Sequence, residues 1–160
     1  MQPNSTQSAP APDAATAEAD RAAITAVLSD YNEALNASSV TRSLALYADD
    51  GVFMPPYSQS AVGKAAVRKA YQKVFDTITL NVKFTIEEIV QMSPNWAFVR
   101  TNSAGTNKIN ATGAVSAEGN QELFVFKKRR RGRMEDRALQ FFPDEPAATL
   151  VKPLWRTSSP

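Results

Sequence analysis

The hydrophobic positions of this chain change period once, near Leu80. Before that point the spacing is helical. In "DRAAITAVLSDYNEALNAS" the residues Ile24, Val27, Leu28, Tyr31, Ala34 and Leu35 recur at i, i+3, i+4 and i+7. They lay one apolar stripe along a helix expected over 20–37, with Asp20 standing where an N-cap would. A short second helix is expected over 39–48, after Ser38-Ser39, with Leu44 and Tyr47 inward and a stop at Asp49-Asp50-Gly51. "VFMPP" reads as a short strand at 52–54 ended by Pro55-Pro56. The third helix, over 63–77, carries Val67, Ala70, Tyr71, Val74 and Ile78 on one face.

Past Leu80 the period is two. Val82, Phe84 and Ile86 alternate with Lys83, Thr85 and Glu87, which predicts a strand over 81–92, and the adjacent Glu87-Glu88 marks a solvated bulge. Two further strands, 96–107 and 118–128, follow across Ser93-Pro94-Asn95 and the loop from Asn107 to Gly113, giving an antiparallel meander. On these two strands both faces carry large apolar side chains: Trp96, Phe98, Leu123 and Val125 on one, Val99, Phe124 and Phe126 on the other. One face can pack on the helices. The other is expected to be covered by a second copy of the chain, a homodimer through the sheet. The fold class is therefore α+β.

Composition removes several chemistries. The chain has no Cys and no His, so disulfides, thiol nucleophiles, serine-protease triads and imidazole metal sites are excluded. Six scattered Gly make no phosphate-binding loop, and no cofactor or metal is expected. Catalysis would have to use carboxylates, Tyr, Lys, Arg or ordered water. No apolar run approaches the roughly 20 residues that span a bilayer. "MQPNSTQSAPAPDAATAEAD" lacks both parts of a signal peptide, so residues 1–17 read as a disordered leader and the expected location is cytoplasmic. A leader left after processing would place the protein in the periplasm or outside the cell instead.

Charge is divided unevenly. Residues 1–126 hold 9 Lys+Arg and 12 Asp+Glu, whereas 127–160 hold 9 and 4, so the net charge of +2 comes from the end of the chain. The run "KKRRRGR" from Lys127 invites a nucleic-acid or membrane partner. The body of the chain shows no such preference, and neither partner is expected.

The stretches "YNEALNAS", "LALYADDGVFMPP", "GKAAVRKAYQKVF", "WAFVRTNSAGT" and "NQELFVFKK", in this order and spacing, carry a resemblance over about residues 20–128. The chain resembles the nuclear transport factor 2-like superfamily, in the SnoaL-like and ketosteroid-isomerase-like branch that includes the calcium/calmodulin-dependent kinase II association domain. The resemblance implies a cone over 18–128, with helices filling the hollow of a bent antiparallel sheet, a pocket at the open end and, in many members, a dimer. It also implies a final strand of the form D-G-x-W-K-I-x-x-Y-x-F followed by T-N-P-P. At that place the chain has "RRRGRMEDRALQFFPDEP". Read one nucleotide later, the codon of Met134 followed by that of Glu135 must give Trp. The flanking codons admit D-G-W-K-I-A-R-Y-S-F, and Asp144 to Ala147 admit T-N-P-P. Residues 129–160 are thus expected to be an aberrant, frameshifted tail, although Leu139 and Phe141 about Gln140 keep the pattern of a short strand.

Polar groups that could converge in the cone are Tyr31, Tyr47, Tyr57, Tyr71, Arg100, Asn102 and Glu122, with Phe53 and Phe98 as apolar lining. The three helical Tyr also fit plain core packing, and Asp49 and Asp50 fit turn formation. With the hairpin centred near Ala111 and Thr112, Arg100 and Glu122 fall roughly opposite each other, as a buried ion pair on the pocket wall or a structural pair on the other face. In the resembling isomerases and cyclases an Asp base works beside a Tyr that stabilises an enolate; no inward Asp is found here, so Glu122 takes the place of candidate base with Arg100 as electrostatic partner. Three functions stay open: binding of a small hydrophobic molecule, an isomerase, cyclase or hydratase, and an oligomerisation module. A raised carboxyl pKa beside a Tyr favours the enzyme, an apolar pocket the binder, and a filled cone the module.

Overall fold

A computed structural model describes residues 14–128 and, as backbone, 139–146. The elements are α1 (Ala14–Asn36), α2 (Val40–Ala45), β1 (Val52–Phe53), β2 (Ala61–Val62), α3 (Lys64–Thr77), β3 (Ile78–Ser93), β4 (Trp96–Ile109), β5 (Val115–Lys128) and β6 (Leu139–Pro146). Strands β3-β4-β5-β6 form one antiparallel sheet in that order, and β1 pairs with β2 in a small ribbon. Each element predicted from periodicity is present, and β2 adds one that its two residues were too short to reveal.

The helices pack on one face of the sheet. Ile24, Leu28, Tyr31 and Leu35 of α1 and Val67, Tyr71 and Phe75 of α3 join Ala97 and Val99 of β4 and Phe124 and Phe126 of β5 in a single core. Most of these positions belong to the apolar stripes read above; Phe75 and Ala97 join them, while Ile78, read on the third helix's face, begins β3 instead. The sheet bends where β3 carries an extra residue, between the pairs Ile86↔Thr101 and Glu88↔Arg100. Glu87 is the bulged residue, as the acidic pair predicted. Gly51 sits in a tight turn, where a Cβ would lie 3.0 Å from both the Ala48 carbonyl and the Tyr47 ring.

Two boundary expectations are corrected. Helix α1 begins at Ala14, inside the segment read as leader, because "AATAEA" is itself strongly helix-favouring. Residues 1–13 lie outside the described residues. Asp20 is consequently not an N-cap. It sits within the helix, buried, and accepts Lys128 Nζ at 2.6 and 2.7 Å and Gln91 Nε2 at 3.1 Å. One carboxylate therefore ties the first helix to the ends of β3 and β5. Ser39 does cap α2, its hydroxyl accepting from Arg42 N at 3.3 Å.

A strand follows the basic run as backbone, longer than the short one about Gln140 that the sequence pattern suggested. β6 pairs with β5 from Lys128↔Leu139 to Glu122↔Pro146 and also approaches β1 and α1. Residues 129–138, including Met134-Glu135-Asp136, and residues 147–160 lie outside the described residues.

Candidate functional site

The hairpin between β4 and β5 decides which side chains share the helix-packed face of the sheet. Its innermost ladder pair is Lys108↔Val115, and Gly113 takes φ 72°, a left-handed turn conformation natural to glycine. This register sets Thr101 opposite Glu122 and Arg100 opposite Leu123. Side chains alternate faces along a strand, so Arg100 and Glu122 point to opposite sides of the sheet. The expected Arg100–Glu122 pair is therefore absent. Arg100 instead bonds Glu88 at 2.8 Å on the outer face, where both are half exposed.

Glu122 faces the helices. Its Oε2 accepts the Thr101 hydroxyl at 2.6 Å, and its Oε1 accepts the Ser103 hydroxyl one diagonal step along β4. Thr101 and Ser103 are themselves buried. Burial pushes the Glu122 carboxyl above the ordinary carboxylate range; the two hydroxyl bonds pull it back, and the charge of nearby Glu118 raises it again. Desolvation is the largest of these effects.

A tyrosine trio forms in the core, with Tyr31 within electrostatic reach of Glu122. Tyr31 of α1 and Tyr47, just past α2, each share a hydrogen bond with the hydroxyl of Tyr71 of α3, at 2.8 Å in both cases. Two helices and the residue just beyond a third thus bring one tyrosine each to a common point. Burial pushes all three hydroxyls upward, and Tyr31 also feels the negative charge of Glu122. They are neutral donors throughout the physiological range. Aromatic rings surround them: Phe53 stacks on Tyr71 with centroids 4.6 Å apart, and Phe124 meets Tyr31 edge-on at 5.7 Å. Phe84 is tilted against both Tyr31 and Phe124.

The structure thus brings together Tyr31, Tyr47, Tyr71, Phe53 and Glu122 of the residues singled out from sequence. It does not bring the others. Tyr57 is 82% exposed in the segment between β1 and β2. Phe98 and Asn102 lie on the outer face with Arg100, because they alternate with the core positions Ala97, Val99 and Thr101. Asn102 donates to Glu87 at 2.7 Å. Asp49 pairs with Lys64 at 2.9 Å across the turn, in keeping with its reading as a turn former. Thr101 and Ser103 were missed. Their signal was present, since they are the small polar residues next to Val99 in the same alternation. Among the described residues no three metal-ligating side chains cluster.

The family model of the SnoaL-like domain matches residues 28–134. A solved ketosteroid isomerase-like protein from Erwinia carotovora atroseptica is 36% identical, with a TM-score of 0.67 over 78% of this chain and 96% of that one. The chain belongs to the SnoaL-like domain family. This SnoaL-like protein also shares its fold with a hexachlorocyclohexane dehydrochlorinase, at TM-score 0.65 and 13% identity over 82% of this chain and 89% of that one. A candidate calcium/calmodulin dependent protein kinase II association domain from Xanthomonas campestris matches at TM-score 0.58 and 18% identity, over 89% and 92% of the two chains. No curated protein matches it. No helix among the described residues is long and apolar enough to cross a membrane.

Proposed function

We propose that this SnoaL-like protein binds a small hydrophobic molecule in the hollow between helices and sheet, and that Glu122 moves a proton on it, in a cofactor-independent isomerisation, cyclisation or elimination. The observation that carries the reading is a half-buried carboxyl facing the helix side, held by the buried Thr101 and Ser103 hydroxyls, with the nearest of three hydrogen-bonded tyrosines close enough to feel its charge. A carboxyl whose pKa is raised holds a proton more readily than a solvated one, and a buried phenol stabilises an oxyanion that develops beside it. The names of two fold relatives, a ketosteroid isomerase-like protein and a dehydrochlorinase, support the same class.

The test begins by exposing purified protein to a mixture of hydrophobic metabolites and identifying what stays bound by mass spectrometry. The captured molecule is then incubated with wild type and Glu122→Gln. Both should retain it, and the variant should lose its conversion by about 100-fold or more. Retention without conversion by either protein reduces the function to binding, and capture of nothing ends the reading.

The outer face supports a homodimer. Val90, Phe98, Leu123 and Val125 stay partly open there, beside Trp96 at 39% and Met92 at 53% exposure. The Asn102 Oδ1 among them is shielded from solvent yet lacks a donor. A second copy meeting face to face covers this apolar area; light scattering on Phe98→Glu should report a monomer.

The tail reading also stands as a proposal. The family match ends at 134, ahead of the strand that begins at Leu139, and Pro143 and Pro146 fall inside that strand. Proline there leaves β6 without two backbone donors, which its place at the sheet edge tolerates. Shifting the frame near the codons of Lys128 and Arg129 should raise the melting temperature and solubility. An unchanged protein, or a tail that binds DNA with steep salt dependence, contradicts the frameshift.

A further inference from the structure

The sheet has an exposed-edge problem that α1 solves in an unusual way. β3 is the outer strand of the order β3-β4-β5-β6 and is 16 residues long. A long edge strand offers unpaired N–H and C=O groups to any extended chain. Over Val82 and Phe84 those groups are taken by two side-chain amides of α1. Asn36 accepts Val82 N–H at 2.9 Å and donates to Val82 C=O at 2.8 Å. Asn32 donates to the same carbonyl at 2.7 Å and accepts Phe84 N–H at 3.1 Å. Each carboxamide therefore gives and receives, as a peptide group of a neighbouring strand would.

Simple geometry permits it. Residues i and i+4 of a helix lie on one face and rise about 6 Å. Residues i and i+2 of a strand are separated by about 6.6 Å. Asn32 and Asn36 thus match the spacing of Val82 and Phe84, with helix and strand running in opposite directions. Farther along, Arg21 Nη2 reaches the Ile89 carbonyl at 3.3 Å, so α1 touches the β3 edge a third time.

We infer that α1 acts as a surrogate outer strand, and that the β3 edge at Val82–Phe84 is a strand-addition site it occupies in cis. The partner this site fits is an extended segment of a second copy, most directly the same β3 edge of another molecule paired antiparallel. Such pairing is distinct from a dimer through the sheet face, which leaves the edges free, and it produces larger assemblies.

The experiment is the double substitution Asn32→Ala with Asn36→Ala in the full chain, followed by light scattering across a concentration series and by amide hydrogen exchange. The folded variant should form assemblies larger than wild type as concentration rises. In dilute solution the Val82 and Phe84 amides should lose their protection, and in the assembled fraction they should regain it. A second layer replaces Val82 with Pro in the same background, which removes the edge donor without touching the β4 ladder and should return the assemblies toward wild-type size. Where the double variant fails to fold, each single Asn→Ala variant frees one amide and is read the same way. A folded variant of wild-type size at every concentration, or Val82 and Phe84 amides that exchange as in wild type, overturns the inference.

Discussion

The two faces of the β4–β5 hairpin are built from alternate residues of the same short segments, yet they do opposite things. Inward, Val99, Thr101 and Ser103 are buried, Val99 opposite Phe124 and the two hydroxyls on a half-buried Glu122. Outward, Phe98, Arg100 and Asn102 meet Val90, Glu88 and Glu87 at a half-open surface. The same charge type behaves differently on each. Glu122 loses hydration and its pKa climbs, while Glu88 keeps water and an arginine partner. What separates a candidate acid–base group from a surface ion pair is one residue of register.

The sharpest break in this comparison should come from neighbours in sequence. Phe124→Ala empties a site only 1% exposed and should cost about 3–5 kcal/mol in urea melts. Leu123→Ala, one residue away on the outer face, should cost much less and act chiefly on self-association. Equal losses at both positions would mean that the faces are not distinct.

Next in size is the hydroxyl support of the carboxyl. Thr101→Val deletes a donor to Glu122 within a buried pair and should cost about 1–3 kcal/mol. Because that bond lowers the carboxyl pKa, its loss should move the Glu122 titration farther upward. A titration moved downward contradicts the assignment of the bond.

A smaller effect is the pH dependence of stability. The folded carboxyl has the higher pKa, so between the ordinary Glu value of about 4.3 and the raised value the native state holds more protons than the unfolded one. Glu122 should therefore favour the native state as pH falls through this window and penalise it as pH rises. Denaturation across the window should show this slope in wild type and not in Glu122→Gln. Last and least, Arg100→Ala should leave both the urea midpoint and the Glu122 titration unchanged, since its ion pair is exposed. A shifted Glu122 would restore the pairing that the register denies.

Much of the fold was legible because each element repeats its own period. The stripe Ile24–Leu28–Tyr31–Leu35 and the alternation Val82–Phe84–Ile86 admit few other readings. The site was half legible. Tyr31, Tyr47 and Tyr71 stood at core spacing, but that spacing does not say that three hydroxyls converge on one another. Glu122 was visible as an acid in an apolar strand; its partners were not, because a hairpin centre known to within one residue leaves the facing side undetermined. Arg100 looked like the partner because opposite charge is a stronger cue than a hydroxyl. Asp20 shows the same limit at longer range: nothing local distinguishes a helix cap from a carboxylate that reaches Lys128.

The most direct measurement is the titration of the Glu122 side-chain carboxyl, followed by carbon-13 chemical shift in protein labelled at glutamate and assigned with Glu122→Gln. A midpoint clearly above the ordinary Glu value of about 4.3 is the expected result, and it should fall when Phe124→Ala admits water beside the carboxyl. A midpoint at or below the ordinary value would show a charged, solvated carboxylate, and would contradict the account of Glu122 as the proton-transfer group of the hollow.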